Sequence, residues 1–229
     1  MRRTSAICLT LAIVLVATGS TMAGPGGRPD KSSRKWFTDL SIGAAVPLND
    51  YSDLVDDGWY FKGGAMLWPE QWPVGLSFTA AYSDQDLSSD AISFINDQQP
   101  PGSGAITGGD IEIWSIGSNV TWGPKTGGVV GFYLTGGIGV DFIDGRITSN
   151  GVVVYPPFCG WYWCVPGGVG SGTVINGSAS TTEFSYNAGL GIDFKLNSGI
   201  KLYLEATYHS ANTELSSTDY IPIVFGVRF

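Results

Sequence analysis

The chain ends in YIPIVFGVRF, residues Tyr220 to Phe229. Every second residue of this stretch is apolar, namely Ile221, Ile223, Phe225, Val227 and Phe229. Successive side chains of a β-strand point to opposite faces, so the alternation predicts a strand with one apolar face. The apolar face runs to the last residue, and no following segment can cover it as in a soluble sheet. We therefore expect something other than protein to cover it.

Seven further runs alternate in the same way, which predicts eight strands in all. They lie at residues 36–46, 59–68, 74–83, 114–122, 132–142, 184–196 and 201–209. One parity of each run is bulky and apolar, with Trp, Tyr and Phe near the ends, whereas the other parity is rich in Gly, Ser and Ala. A bulky outside around a narrow interior of small and polar residues is typical of a transmembrane β-barrel, in which lipid covers the apolar face.

The links between the predicted strands alternate in length. Short links at 69–73, 124–127 and 197–199 separate long ones at 47–58, 84–110, 144–182 and 210–219. Bacterial outer-membrane barrels have an even number of strands, short periplasmic turns and long extracellular loops. The sequence therefore predicts an all-β, eight-stranded antiparallel up-and-down transmembrane barrel with both termini in the periplasm. Residues 144–182 could hang free, extend the strands outward as a hairpin, or fold into the barrel mouth.

The amino-terminal residues predict export. Arg2 and Arg3 precede a short apolar core, and small residues up to Ala23 supply a cleavage site, so residues 1–23 are interpreted as a signal peptide. Residues 24–35 are rich in Gly, Pro, Ser and charge and are expected to form a flexible periplasmic leader. The barrel is expected to occupy residues 36–229.

These features together resemble the small eight-stranded bacterial outer-membrane β-barrel family, the outer membrane protein beta-barrel domain of OmpA-, OmpX- and OmpW-like proteins. The resemblance covers residues 36–229 and lies in the architecture rather than in a family-specific motif. It implies a location in the bacterial outer membrane. It also implies that Phe225, Val227 and Phe229 form the carboxy-terminal signal by which such barrels are recognised for insertion.

Composition restricts the partners. The net charge is −8, and no basic patch with interleaved aromatic residues occurs, which argues against nucleic acid. We expect the partners to be outer-membrane lipid, including lipopolysaccharide, the barrel-insertion machinery and an extracellular ligand bound through the loops. A monomer is expected, and no cofactor or metal is predicted.

The small and polar parity of the strands carries charges of both signs. These predicted inward charges are Asp39, Lys62, Asp141, Asp193, Lys195, Lys201, Glu205 and Arg228. The interior of an eight-stranded barrel is just wide enough for side chains to fill, and buried charges are tolerated when they are paired. The simpler interpretation is an ion-pair network that fills and locks the barrel. The alternative is a narrow path for ions lined by the same residues.

Two cysteines follow the signal peptide, Cys159 and Cys164 in FCGWYWCVP. In an oxidising compartment we expect them to form a disulfide that closes a small loop and stabilises it by ~2 kcal/mol. Two thiolates without a nearby histidine do not complete a zinc site. The bond would hold Trp161, Tyr162 and Trp163 at the tip of the longest link. There they either pack on the barrel rim or form an exposed knuckle for a partner or for outer-leaflet lipid.

The predicted extracellular links are acidic. They contain Asp50, Asp53, Asp56, Asp57, Asp84, Asp86, Asp90, Asp97 and Asp110. This set is interpreted as a solvated, repulsive surface, with divalent cations that bridge lipopolysaccharide as the alternative.

One stretch invites comparison with an enzyme. The single histidine, His209, lies in TYHSANTEL and resembles the His-any-Ser-Asn pattern of the lipid A deacylase barrels, in which histidine activates a serine. Here Ser210 follows His209 directly, so alternation places the two on opposite faces, although Glu214 could serve as the orienting acid. We therefore predict no catalytic residue, and a rim position for His209 with a hydrogen bond to a loop.

Two functions remain from these observations. The first is a structural or surface-interaction scaffold that presents extracellular loops. The second is a narrow porin-like channel for ions or small solutes, including hydrophobic ones. A lipid A deacylase-like enzyme is a remote third.

Overall fold

The described residues of the computed structural model form ten strands. They are β1 (Trp36–Pro47), β2 (Gly58–Leu67), β3 (Val74–Asp86), β4 (Ile106–Trp122), β5 (Val130–Tyr155), β6 (Phe158–Cys159), β7 (Cys164–Val165), β8 (Gly168–Asn197), β9 (Ile200–Asn212) and β10 (Ser217–Arg228). The structure describes residues 36–69, 72–99, 105–124, 128–155, 158–159, 164–165, 168–197, 200–212 and 217–229. For residue 197 and for those described residues that lie between 151 and 176, only backbone positions are described.

Eight of these strands form a closed antiparallel barrel, in which each long strand pairs with the next long strand along the chain. The first and last strands close it: β1 pairs with β10 from Asp39 opposite Arg228 to Pro47 opposite Tyr220. The predicted eight-stranded up-and-down barrel is therefore confirmed. Within the part of the chain that the structure describes, the short strands β6 and β7 pair only with each other.

The alternation of the sequence separates the two faces of the barrel wall. In β1, Asp39 and Ser41 point inward and are buried, whereas the side chain of Ile42 points outward and is 56% exposed. In β10, Phe225 is 55% exposed and Val224 is buried. Large apolar side chains remain exposed around the whole outside because lipid is their solvent. The predicted assignment of the bulky parity to the outside is confirmed.

Four strands continue past the alternating runs at the end of the barrel that carries the long links, called here the long-link end. β5 and β8 pair as far as Tyr155 opposite Gly168, and β4 accompanies β5 as far as Ser149. These continuations of β3, β4, β5 and β8 (residues 84–86, 106–113, 143–155 and 168–183) are called the sheet extension. Of the three arrangements considered for residues 144–182, the described residues adopt the outward hairpin.

Two short helices lie at the long-link end. A 3-10 helix, Asn49–Asp53, follows β1, and the α-helix α1, Ser89–Asp97, follows β3. The α-helix begins with a cap, because the Ser88 hydroxyl accepts a hydrogen bond from the Ala91 N–H at 3.1 Å. No helix in the described ranges is long and apolar enough to cross a membrane.

Candidate functional site in the barrel interior

The centre of the barrel contains a buried ion pair between strands that lie apart in the sheet. Lys62 of β2 pairs with Glu205 of β9, and their side chains are 14% and 6% exposed. The Tyr133 hydroxyl of β5 donates a hydrogen bond to Glu205 Oε2 at 2.9 Å, and Thr207 donates to Oε1 at 3.3 Å. Because charge-assisted hydrogen bonds fix both oxygens, Glu205 links three strands across the interior.

Two further groups of opposite charge, Arg228 and Asp39, lie beside the first pair without a direct ion pair between them. The Arg228 guanidinium stacks 4.7 Å from the Tyr203 ring centroid and 5.3 Å from that of Tyr133, and Arg228 is buried. Asp39, also buried, is its neighbour on β1. The central charge cluster is defined as Asp39, Lys62, Glu205 and Arg228. Its charges sum to zero. Among the described residues, Asp39 Oδ1 and the Nε and Nη1 atoms of Arg228 have no hydrogen-bond partner, so neutrality rather than direct bonding balances these two groups.

His209 lies inside the barrel, so its predicted position on the rim is wrong. It is 6% exposed, and its Nε2 lies 2.7 Å from Asp141 Oδ2, a carboxylate of β5 rather than of a loop. Ser185 donates to the other oxygen of Asp141 at 2.9 Å. His209 is buried because it lies on the same inward face of β9 as Glu205. The alternation of inward and outward side chains continues to the end of that strand. Ser210 lies on the opposite face, as predicted.

One aromatic residue, Trp68, lies across the short-link end of the barrel. A Cβ built on Gly75 would lie 3.1 Å from Trp68 Cγ, and one on Gly123 would lie 3.4 Å from the far edge of the indole. Lys201, on the opposite wall, lies 5.6 Å from the Trp68 ring centroid and pairs with Asp193 at 2.8 Å. The indole thus covers the opening between β3, β4 and β9.

The long-link end is closed by apolar side chains from two links. Tyr51 of the 3-10 helix is buried, and its hydroxyl donates to Gln85 Oε1 at 2.7 Å. Val55 forms a β-bridge with Leu87, and both are buried. Together Tyr51, Val55 and Leu87 form what is called here the apolar cap. The cap packs on inward residues of the wall, which are Ala45, Tyr60, Ala81, Ile113, Tyr220 and Val224.

A small polar cavity remains between these closures. It offers about 50 Å³ to the centres of water-sized molecules, and its walls include Asp39, Asn119, Glu205 and His209. One water centre needs roughly 10–15 Å³, so the cavity has room for a few waters. It is too small for a hydrated ion in transit.

Of the eight predicted inward charges, seven line the interior or its short-link mouth. Lys195 was expected in the same set, but it is exposed at the end of β8, opposite Lys201. Lys195 lies near the end of β8, at the mouth of the barrel. An inward-facing side chain at this position meets solvent instead of the packed interior. The backbones of Cys159 and Cys164 pair directly, and their disulfide stays a prediction. Residues 161–163 lie outside the described residues, as does Glu214.

Sequence reasoning missed the residues that close the two ends. Trp68 was detectable, because it continues the inward parity of Tyr60, Lys62 and Met66 in β2. Tyr51 and Gln85 carried no sequence signal, because their partnership depends on how a link folds back over the mouth.

The link after β1 is anchored by Asp219, another residue that sequence reasoning did not single out. Asn49 Nδ2 donates to Asp219 Oδ2 at 3.0 Å, and the Leu48 N–H donates to the Asp219 carbonyl oxygen at 2.9 Å. Asp219 precedes the membrane-spanning run of β10. Burial alone would raise the pKa of its carboxyl group, but hydrogen bonds from side chains, Ser210 first among them, hold the pKa below its ordinary value.

The outward face of the sheet extension carries carboxylates in register. Asp84, Glu112 and Asp144 lie opposite one another on β3, β4 and β5. Burial and repulsion from Glu112 raise the pKa of Asp84. Arg146 lies two residues beyond Asp144 on β5, opposite Asp110 of β4. Its guanidinium donates two hydrogen bonds, of 2.8 and 3.1 Å, to the carboxylate of Glu112. Among the described residues, no group of three or more His, Cys, Asp or Glu side chains is arranged to hold a metal ion.

Comparison with solved structures gives distant similarities. Ail, the attachment invasion locus protein of Yersinia pestis, is 16% identical with a TM-score of 0.46, over 86% of this chain and 100% of that one. Neisserial surface protein A is 13% identical with a TM-score of 0.45, over 86% and 97%. OprG from Pseudomonas aeruginosa is 13% identical with a TM-score of 0.44, also over 86% and 97%. No curated protein sequence matches the chain.

The family assignment rests on a sequence match. The model of the outer membrane protein beta-barrel domain matches residues 7–229, which is nearly the whole chain. The closed barrel with its apolar outside agrees with that match. The chain therefore belongs to the outer membrane protein beta-barrel domain family and is a bacterial outer-membrane barrel.

Proposed function

We propose that the protein is a closed barrel that serves as a surface scaffold and presents its long-link end outside the cell. One observation carries the proposal: the interior is obstructed at three successive levels. These are the Trp68 indole, the central charge cluster and the apolar cap.

The middle level is the strongest barrier to conduction. A passing ion must separate Lys62 from Glu205, and each of these groups then loses its partner in a medium of low dielectric constant. Breaking a buried pair costs about 3–5 kcal/mol. The cavity of about 50 Å³ gives a permeating ion no room to keep its hydration shell. The buried ion pair and the small cavity favour an ion-pair network that closes the barrel over a channel for ions.

The orientation follows from solvation. The sheet extension exposes carboxylates and small polar residues on its outward face, and these need water. The short links are better suited to the periplasmic side, because outer-membrane barrels place short turns there. With an even number of strands, both termini then lie in the periplasm. The partners we propose for the presented surface are lipopolysaccharide and an extracellular ligand.

A second candidate is the narrow channel for ions or small solutes, including hydrophobic ones. The observation in its favour is the polar cavity between the two closures. In this alternative, displacement of Trp68 and of the apolar cap would join the cavity to solvent on both sides.

We propose no enzymatic activity. His209 faces Asp141 inside the barrel, whereas Ser210 hydrogen-bonds with Asp219 on the outward face. The strand backbone separates the two side chains, and a histidine that cannot reach the serine hydroxyl cannot act as its base.

Single-channel conductance of the refolded protein in planar bilayers tests the proposal. Folding is checked beforehand by the difference in gel mobility between unheated and boiled samples. The scaffold predicts a silent bilayer for the wild type. Steady conductance steps that change in Lys62→Met but not in the matched control Lys195→Met would establish the channel instead, because Lys195 is exposed outside the central charge cluster.

A further inference from the structure

The link after β1 crosses the barrel mouth at the long-link end as a strap. The strap is defined as residues 48–55, and it contains the 3-10 helix Asn49–Asp53. Two residues of the apolar cap, Tyr51 and Val55, belong to the strap and are 5% and 1% exposed. The strap therefore separates the barrel interior from solvent at this end.

One end of the strap is hydrogen-bonded to β10, and within the described ranges a single residue of β10 accepts these bonds. The Asp219 carbonyl oxygen accepts from the Leu48 N–H at 2.9 Å, and the Asp219 carboxylate accepts from the Asn49 side-chain amide at 3.0 Å. The contact between Asn49 and Asp219 is called here the latch. Because both bonds depend on one residue, loss of the latch weakens the whole β10 end of the strap.

The other end of the strap is bound more firmly, to the segment that follows β3. Val55 and Leu87 form the β-bridge, and the Ser88 N–H donates to the Leu54 carbonyl oxygen at 3.0 Å. The Ser88 hydroxyl donates to the Asp53 carbonyl oxygen at 2.7 Å. Since these contacts are spread over several residues, this end can act as a hinge while the β10 end moves.

The backbone at the latch is strained. Asn49 has a φ of 53°, and it is the one described residue other than glycine with a positive φ. Asparagine adopts this left-handed region more readily than most residues, but at a cost in free energy. Such a conformation persists where surrounding contacts impose it, and here the contacts with Asp219 do so. Opening of the latch lets Asn49 relax.

Two polar groups beneath the strap also favour its opening. Gln85 Nε2 and Ser83 Oγ are buried, and neither has a hydrogen-bond partner in the part of the chain that the structure describes. A buried polar group without a partner costs free energy, which entering water recovers. The Tyr51 hydroxyl bond to Gln85 Oε1 and the burial of the Tyr51 ring oppose the opening. The closed strap is therefore a balance between these contacts and the strain and unpaired groups that oppose them.

The single histidine of the chain lies below the strap. The ring of Tyr220, on which the apolar cap packs, has its centroid 4.7 Å from that of His209. His209 in turn lines the polar cavity, whose walls continue to Asp39 and Arg228 of the central charge cluster. Solvent that passes the strap therefore meets His209 first and the central charge cluster beyond it.

We infer that the strap is a latched lid. Residues 48–52 lift from β10 when the latch opens, while Val55 and Leu87 stay paired as the hinge. The open lid admits water and small solutes to His209 and the polar cavity. The central charge cluster and Trp68 stay in place, so the access is from the long-link side only. That side is the outside of the cell only if the long-link end faces outward, and on this point the inference rests on the proposed function.

Chemical labelling of His209 tests the lid, because the chain has one histidine. The full chain, without a histidine tag, is refolded in detergent micelles and treated with diethyl pyrocarbonate at neutral pH, and labelled histidine is followed by mass spectrometry. Asn49→Gly tolerates the positive φ but removes the donor to Asp219, so labelling should become about tenfold faster. Asp219→Asn should act in the same direction. The matched control is Asp50→Asn, which removes an exposed charge from the strap itself and should label at the wild-type rate.

Hydrogen exchange separates a moving strap from a loosened barrel. In both latch variants residues 48–52 should exchange faster, whereas β9 should exchange as in the wild type. In the wild type itself, the Leu48 N–H should exchange faster than the Ser88 N–H, because Ser88 lies at the hinge. Unchanged labelling in both variants, equally fast labelling in Asp50→Asn, or slower exchange at Leu48 than at Ser88 would overturn the inference. So would faster exchange throughout β9, since the wall of the barrel would then open rather than the strap.

The labelling and conductance experiments fail independently. A silent barrel in which neither latch variant speeds labelling contradicts the lid alone. A conducting barrel in which both variants speed labelling contradicts the closed scaffold and leaves the lid in place.

Discussion

Replacing Glu205 with glutamine should destabilise the barrel more than neutralising Asp193, whose partner is partly exposed. The substitution keeps the size of the side chain and an acceptor for the Tyr133 hydroxyl. It leaves Lys62, whose side chain is 14% exposed, without its carboxylate partner. The central charge cluster then holds two positive charges against Asp39 alone.

The size of the effect follows from burial. Removing one partner of a buried pair costs about 3–5 kcal/mol, and the retained hydrogen bond to Tyr133 favours the lower end, about 3 kcal/mol. With an m-value of about 2 kcal/mol/M, the urea midpoint should fall by about 1.5 M. The matched control is Asp193→Asn. Its partner Lys201 has a side chain that is 30% exposed, so water replaces the lost contact and the cost stays below about 1 kcal/mol.

The assay is urea unfolding in detergent micelles, followed by tryptophan fluorescence and by gel mobility. A double variant, Lys62→Met with Glu205→Gln, removes both charges and keeps an acceptor for the Tyr133 hydroxyl. It should recover most of the lost stability, because no unpaired charge then remains. The reasoning is refuted if Glu205→Gln lowers the midpoint no more than Asp193→Asn, or if the double variant is less stable than Glu205→Gln.

Three further outcomes follow from the same structure. The carboxyl pKa of Asp219 lies below its ordinary value of 3.8. The hydrogen bonds by which Asp219 anchors residues 49–53 should therefore be complete above pH 3.8 and should be lost as the pH falls through the lowered pKa. Hydrogen exchange of residues 49–53 should show this loss, and Asp219→Asn should remove the pH dependence. Gly226→Val should prevent folding by the gel-mobility assay, because a Cβ there would lie within 2.6 Å of a tyrosine ring and a backbone carbonyl, whereas Gly177→Val should fold normally. Ile116→Arg, on the lipid face, should cost roughly 2–4 kcal/mol in urea unfolding, while Phe94→Arg on α1 should cost little, although both side chains are more than 60% exposed.

The strands and their faces could be predicted from the sequence because alternation is a local property. The final strand shows this directly, since Phe225 and Val224 occupy opposite faces as their positions alone require. The eight strands, their antiparallel order and the inward parity of Glu205 and Arg228 follow from the same rule, applied strand by strand together with the link lengths.

The sheet extension was less accessible to this reasoning. Residues 168–183 are rich in Gly, Ser and Thr and lack the contrast between bulky and small parities, and residues 177–182 are exposed on either parity. Nothing in the local pattern then distinguishes a strand from a loop. Pairing with β5, which does alternate up to Phe142, is what extends β8 outward.

The alternating pattern alone predicts eight barrel strands with a lipid-facing outside, because the period of two is set within each strand. Only the closed barrel decided which inward side chains meet. His209 contacts Asp141, which is 68 residues away in the chain, and Tyr51 donates a hydrogen bond to Gln85, which is 34 residues away. The register around the ring and the fold of the links fix those distances. The sequence pattern allows each inward side chain to contact inward residues of any other strand. The register of the closed barrel determines which of these contacts forms.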